Sequence, residues 1–430
     1  MRVRAGLTAL VAVVVAAAVG CTSSGKDDNP APAAAPATTA HHMATMATPL
    51  AADASPREVR ARFEQLLGQQ ALLAVRLARS EADKVPDLQR VVQGSLAANT
   101  GALEQVVGVT FDGTQAARFD QLWKGYSDDL AAYATSAAAG NSAGTQEARA
   151  ALLDGCKDWG AWLAEASGGR VQAAEATRTA EARVKKLMDQ ADAYADKDYD
   201  QAYKLERQAY QRTYGTGTTL ARASLPAKDA AGLDQAPEQL RSAFAMLLGE
   251  HMELIVDAQR ATFAGSPEFE AAAAQVNANT AALTKAMSGI VGPEKAAEFQ
   301  RAWANHVEGL MAYTAAVAGK DEAAETVAKE NLDGFAERLA LYFSDVVRNV
   351  LSTEPLTEAL TAHDTHLIDQ VNAYAAKDYT TAQQVQDEGY QQMLGVANVL
   401  VDAIEKVMAA NMPAGGSKTG GGGMAGHLHP

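Results

Sequence analysis

The sequence AYADKDY at residues 193–199 returns as AYAAKDY at residues 373–379, an offset of 180 residues. Other matches follow in the same order and nearly the same register: Ala98-Asn99-Thr100 with Ala278-Asn279-Thr280, and Phe119 and Trp123 with Phe299 and Trp303. Self-similarity at a fixed offset indicates a duplicated structural unit. The sequence therefore predicts two copies, at residues 56–226 and 236–411, joined by a linker at residues 227–235.

Each copy has the pattern of an all-helical bundle. Apolar residues recur every three or four positions, and Ala, Leu, Glu, Gln, Lys and Arg dominate the composition. Glycine or proline interrupts the pattern in the second copy at Gly265, Gly292, Gly319 and Pro355. No alternating β-branched run predicts a strand. We therefore expect an all-α protein of two tandem up-and-down bundles, each with about six helices and short connections.

The first residues are typical of an export signal. Arg2 and Arg4 precede an apolar run that ends at Gly20-Cys21. A membrane-spanning helix needs ~20 apolar residues, which is longer than this run. The segment resembles the lipobox of bacterial lipoproteins, in which the cysteine carries a diacylglyceryl group. The resemblance implies a signal peptide at residues 1–20, lipidation of Cys21, and an extracytoplasmic body whose partner is the cell membrane, reached through the lipid anchor.

The segments that flank the two copies are predicted to be disordered. Residues 21–55 are rich in Ala, Pro, Ser and Thr and form a flexible tether, and residues 412–430 form a Gly-rich tail. Both segments mix imidazole and thioether groups, which copper accepts as ligands in either oxidation state. The candidate copper ligands in these segments are His41, His42, Met43, His427 and His429.

Charge and cysteine content exclude some partners. The formal net charge is −15, so the protein is expected to repel nucleic acid and anionic lipid headgroups. There are two cysteines, and if Cys21 is lipidated only Cys156 remains, so no intrachain disulfide is predicted. We expect Cys156 to be a small buried apolar residue rather than a nucleophile.

The histidines form the main candidate site. The first copy has none, whereas the second copy has four: His251, His306, His363 and His366. The first three lie on apolar seams of three different helices, so we expect them to face one core. Imidazole is a common ligand of copper, zinc and iron, and bundle cores often hold such sites. The sequence thus predicts a metal or haem site, with copper favoured and with Glu250, Asp364 and Asp369 as groups that orient the ligands.

A second interpretation needs no metal. By the repeat offset, the four histidines match polar residues of the first copy: Gln70, Tyr126, Arg183 and Lys186. A hydrogen-bonded polar layer that sets the register of the helices explains this pattern without a metal. The protein is then a noncatalytic scaffold or adaptor of the envelope with structural histidines.

The second copy resembles a helical module of Gram-positive envelope proteins that are often labelled copper-amine-oxidase-like. The resemblance rests on Leu247-Leu248-Gly249-Glu250-His251, Trp303-Ala304-Asn305-His306, residues 374–379 and Glu388-Gly389-Tyr390. It implies an envelope location and a copper site. It does not imply amine oxidation, because the chain has no Asn-Tyr pair for the quinone cofactor. Other catalytic motifs are also missing from the sequence, so we predict a non-enzyme.

Overall fold

The computed structural model of the protein describes residues 49–348 and 350–410. Across these ranges it is all-helical, without a strand, which confirms the predicted fold class. Short loops separate the helices, and glycine or proline ends or begins several of them, as predicted from the sequence. The helices are α1 Pro56–Ala82, α2 Pro86–Thr110, α3 Gly113–Ala138, α4 Ser142–Ala166, α5 Ala173–Ala195, α6 Tyr199–Ser224, α7 Ala227–Gly232, α8 Ala236–Ala264, α9 Phe269–Val291, α10 Pro293–Gly319, α11 Glu322–Val346, α12 Thr353–Ala375 and α13 Tyr379–Ala410.

Helices α1–α6 and α8–α13 pack in the same way. In each set, consecutive helices are neighbours, the first helix packs on the sixth, and the first, third and fifth helices also touch one another. The first, third and fifth helices therefore form the centre of each set. Between the sets, the segment predicted as a linker contains the short helix α7. The exact limits of the two copies stay a prediction.

The repeated AYADKDY and AYAAKDY stretches form the same turn in both sets. Lys197 and Lys377 both have left-handed backbone conformation, with φ of 61° and 60°. Each is followed by an aspartate that begins the next helix, since Asp198 accepts from the Gln201 amide and Asp378 from the Thr381 amide. These side-chain caps satisfy helix-end N–H groups that would otherwise lack a partner.

The two sets meet through equivalent surfaces. Helix α6 packs on α9, α13 packs on α2, and α1 packs on α8. Tyr210 and Tyr390, which are equivalent by the repeat offset, place their hydroxyl oxygens 3.3 Å apart. The equivalent glycines Gly68 and Gly249 lie against these same tyrosines. The interface thus has approximate two-fold symmetry, like that of an isologous dimer.

Buried ion pairs also join the two sets. Arg79 of α1 binds Glu206 of its own set and, at 2.7 Å, Asp257 of the other. Arg76 binds Glu253 across the interface. Replacing one partner would leave the others charged and buried, so each group depends on its partner in the other set. The described helices accordingly fall in one compact unit.

None of the helices in the described ranges is both long and apolar enough to cross a membrane.

Candidate metal site

Three of the four predicted histidines meet in the centre of the second set. His251 lies on α8, His306 on α10 and His363 on α12, the three helices that touch one another. Short connections make sequence neighbours antiparallel, so these three helices run parallel. All three side chains are buried, with at most 1 % exposure.

The imidazoles form a nearly equilateral triangle. Their ring centroids are 5.8 Å apart for His251 and His306, and 5.6 Å apart for each of the other two pairs. One nitrogen from each ring can be chosen so that all three lie within 4.8 Å of one another. Such atoms lie within about 2.8 Å of a common centre, against ~2.0–2.1 Å for a zinc–imidazole bond. Shifts of under about 1 Å per ring would bring the three nitrogens to that distance from a common centre.

Within the part of the chain that the structure describes, these imidazoles have no hydrogen-bond partners. Among the described residues, both nitrogens of His251, His306 and His363 are buried without one. His306 Nδ1 lies 3.3 Å from Asp364 Oδ1, which is an ion-pair distance without hydrogen-bond geometry. Leaving a buried polar atom unpaired costs ~1–3 kcal/mol, and such atoms are uncommon in folded proteins. Among the described residues, buried atoms of Gln70, Tyr126 and Arg183 at the matching positions of the first set also lack a partner, so the case for a metal rests on the convergence of the three nitrogens.

Burial keeps the three imidazoles neutral. It lowers the pKa of His251 to about 3. It also holds the pKa values of His306 and His363 well below the usual range, and the neighbouring histidines lower them further. Neutral imidazole is the form that binds metals.

Aromatic rings surround the histidines. Trp303 lies against His251 with ring centroids 4.7 Å apart. Phe335 stacks on His306 at 4.2 Å with an interplanar angle of 17°. Asp364 is the acidic group beside the site, and burial raises its pKa well above the usual range. The site therefore combines three imidazoles with aromatic walls from which water is excluded.

The other predicted site residues of the second copy do not join the triangle. His366 is half-buried one turn after His363 and is not part of the group of converging nitrogens. Asp369 is also half-buried on α12. Glu250 is buried but accepts hydrogen bonds from other residues, namely Arg207, Gln211 and Asn279.

In the first set, a guanidinium group takes the corresponding place. Arg183, which matches His363, is buried with its guanidinium carbon 4.9 Å from the Tyr126 ring centroid and 5.1 Å from that of Trp123. Gln70 is also fully buried there. This core therefore holds a cation against aromatic rings, a contact that stabilises buried positive charge.

Sequence reasoning did not identify Phe335 as a neighbour of the histidines. A signal for it exists, because the residue at the matching position of the first copy is Gly155. Like the three histidines, Phe335 occupies a position at which the first copy has a different kind of residue. Cys156, next to Gly155, is buried, and burial raises the pKa of its thiol to about 11, as expected for a packing residue.

The remaining predicted residues lie outside the described ranges: Cys21, His41, His42, Met43, His427 and His429. Comparison of the chain with models of protein families, with curated proteins and with solved structures found no match. The resemblance to the envelope module therefore stays a prediction, and a function must be argued from the geometry of the site.

Proposed function

We propose that this protein is a noncatalytic, lipid-anchored envelope protein that binds one transition-metal ion through His251, His306 and His363. The observation that carries the proposal is the convergence of three buried, neutral imidazoles whose nitrogens lack hydrogen-bond partners among the described residues. An ion that accepts one lone pair from each ring compensates three unpaired groups at once. The envelope location rests on the lipobox at Cys21.

The geometry favours a single ion over haem. A haem with two axial histidines needs them on opposite faces of the macrocycle. Here the third imidazole lies 5.6–5.8 Å from both others, in the space into which the macrocycle has to extend. Trp303 and Phe335 already occupy faces of His251 and His306.

Charge favours copper in its monovalent form. The desolvation cost of a buried ion rises steeply with its charge, and neutral imidazoles offset none of that charge. Asp364 is the acidic group in contact with the triangle. A monovalent ion therefore pays a smaller desolvation cost than a divalent one. Among the metals that imidazole binds, copper has a monovalent ion, Cu(I). We therefore propose that the site binds Cu(I), and that it binds zinc, iron and other divalent ions more weakly.

The alternative function is a structural scaffold or adaptor. Its support is the first set, where Gln70, Tyr126 and Arg183 fill the same positions without any metal ligand. The fold therefore accepts several polar combinations at this layer. The two functions differ in one measurable property, which is whether the second set binds an ion with the three histidines.

The test is an anaerobic competition titration of the full chain with Cu(I) and a chromophoric chelator. The substitutions His251→Gln, His306→Tyr and His363→Arg install the residues of the first set and should abolish tight binding of one equivalent. Losing all three ligands removes the coordination shell, so the affinity should fall by at least about a hundredfold.

The control is a variant with alanine at the four flanking histidines, His41, His42, His427 and His429. It should keep the tight equivalent. If the triple variant binds Cu(I) as the parent does, the proposed site is wrong. If only the control variant loses binding, the flanking segments hold the copper, and the scaffold function describes the helical body.

A further inference from the structure

A second candidate site is a cavity of about 210 Å³ where α1, α6, α8 and α13 meet. Ligand pockets for drug-sized molecules measure ~300–1,000 Å³, so this one fits a smaller molecule. It is built from equivalent positions of the two sets: Arg60 with Arg241, and Ala61 with Ser242. It therefore lies at the approximate two-fold interface, and none of the three histidines lines it.

Two buried arginines line this cavity. Arg60 and Arg241 are 3 % and 2 % exposed, and among the described residues the Nε of each lacks a hydrogen-bond partner. Their other nitrogens are engaged: Arg60 donates to the carbonyl oxygens of Leu233 and Glu238, and Arg241 to Asn398 and, at 2.7 Å, to Asp402. These contacts fix both guanidinium groups in place.

Glu64, the acidic residue that lines the cavity, does not accept a hydrogen bond from either arginine Nε. Glu64 Oε1 lies 3.7 Å from Arg60 Nε, too far for a hydrogen bond, and accepts instead from the hydroxyl groups of Thr218 and Ser242. What the cavity lacks is therefore a pair of acceptor oxygens. At the rim, the half-exposed side chains of Gln65, Gln391 and Asn398 offer further polar contacts.

We propose that this cavity binds a small carboxylate, whose two oxygens accept from Arg60 Nε and Arg241 Nε. Arginine binds carboxylates through paired N–H donors, and such charge-assisted bonds are stronger than neutral ones. The carboxylate belongs to a molecule about the size of an amino acid or a short dicarboxylic acid, since the volume admits little more. One ligand then contacts both sets of helices at their junction.

The test is calorimetric titration of the full chain with acetate, succinate and glutamate, and with acetamide as the uncharged match of acetate. At least one carboxylate should bind saturably, and acetamide should bind at least about tenfold more weakly than acetate, because it lacks the charge-assisted bonds. The proposal is overturned if none of the carboxylates binds saturably, or if acetamide binds as well as acetate.

A pair of glycines supplies a matched variant and control. Gly395 lines the cavity, and a Cβ at this position meets no other atom within 4 Å, so Gly395→Leu should block the cavity without disturbing the fold. Gly215, its equivalent by the repeat offset, is equally open but does not line the cavity. Gly395→Leu should lower the carboxylate affinity at least about tenfold and Gly215→Leu should leave it unchanged. Equal affinity in the two variants contradicts the assignment.

Discussion

At the scale of single residues, the three buried histidines lower the stability of the metal-free protein. Each imidazole has lost water and has gained no hydrogen bond among the described residues. An unpaired buried polar group costs ~1–3 kcal/mol, so the triangle destabilises the fold by several kcal/mol. An ion bound by the three imidazoles, as proposed, would offset this destabilisation.

The first prediction concerns the pH dependence of stability in metal-free protein. Folded His251 stays neutral down to a pKa of about 3, whereas an unfolded histidine takes up a proton near pH ~6.5. Between these values the unfolded state binds more protons, so the free energy of unfolding falls as the pH falls. From pH 7 to pH 5, the parent should lose about 2 kcal/mol more than His251→Gln does.

Urea unfolding at the two pH values measures this difference. The buried acids with raised pKa act in the opposite direction, but they are common to both proteins and cancel in the comparison. Parallel losses of stability in the parent and in His251→Gln would mean that His251 is protonated or solvated in the folded state.

At the scale of helices, part of the site was readable in the sequence. The seams placed His251, His306 and His363 on the inward faces of their helices, and the structure has them there. Their common depth was not readable, because they lie fifteen, thirteen and ten residues after the first residues of α8, α10 and α12. Their meeting depends on how far each helix is displaced along its axis, which tertiary packing sets.

The fold itself was more predictable than the site. Its helix boundaries follow from local chemistry, such as Gly265 in left-handed conformation after α8 and Pro293 at the start of α10. His366 shows the limit of predicting ligands from their spacing. It lies three positions after His363, so its side chain points about 60° away around the same helix. The spacing alone did not exclude it as a ligand.

The second prediction transplants the site into the first set. Gln70→His, Tyr126→His and Arg183→His place three imidazoles at the matching positions of α1, α3 and α5, which also touch one another. Because the two sets pack in the same way, this variant should bind two equivalents of Cu(I) where the parent binds one. Phe335 has no aromatic match in the first set, so the new site should be the weaker of the two.

The competition titration described above counts the equivalents. The matched control carries Gln70→Ala, Tyr126→Phe and Arg183→Leu, which removes the same polar groups and adds no ligand. If circular dichroism shows that the histidine variant is folded and it still binds only one equivalent of Cu(I), backbone placement alone does not create the site.

The third prediction tests the interface between helices. A Cβ on Gly249 would lie 2.8 Å from both Tyr210 and Tyr390, whereas at Gly215 it meets nothing within 4 Å. Gly249→Ala should therefore lower stability by ~1–3 kcal/mol through overpacking. Gly215→Ala should raise it by up to ~1 kcal/mol, because alanine favours the helix. Thermal unfolding of both variants decides the point, and a stabilised Gly249→Ala would contradict the close approach of the helices.

At the scale of the whole molecule, the two sets divide two roles. The first set fills its core with Arg183 and aromatic rings, and the second holds the candidate metal site. The symmetric interface keeps the two together and creates the proposed carboxylate cavity.

The fourth prediction concerns the anchor. Cys21→Ala removes the thiol that the lipobox modification needs, so radioactive fatty acid should no longer label the protein and the protein should be shed or stay as precursor. Cys156→Ala is the matched control, because its thiol is buried. Unchanged labelling of Cys21→Ala would refute the lipoprotein assignment.

The central claim is that His251, His306 and His363 bind one ion together. X-ray absorption at the copper edge tests it most directly, on the full chain loaded with one equivalent of Cu(I) and carrying alanine at His41, His42, His427 and His429. We predict about three imidazole nitrogens at ~2.0 Å and no sulfur neighbour. A sulfur shell, or copper that is lost on dilution, would place the ion outside the triangle and contradict the account.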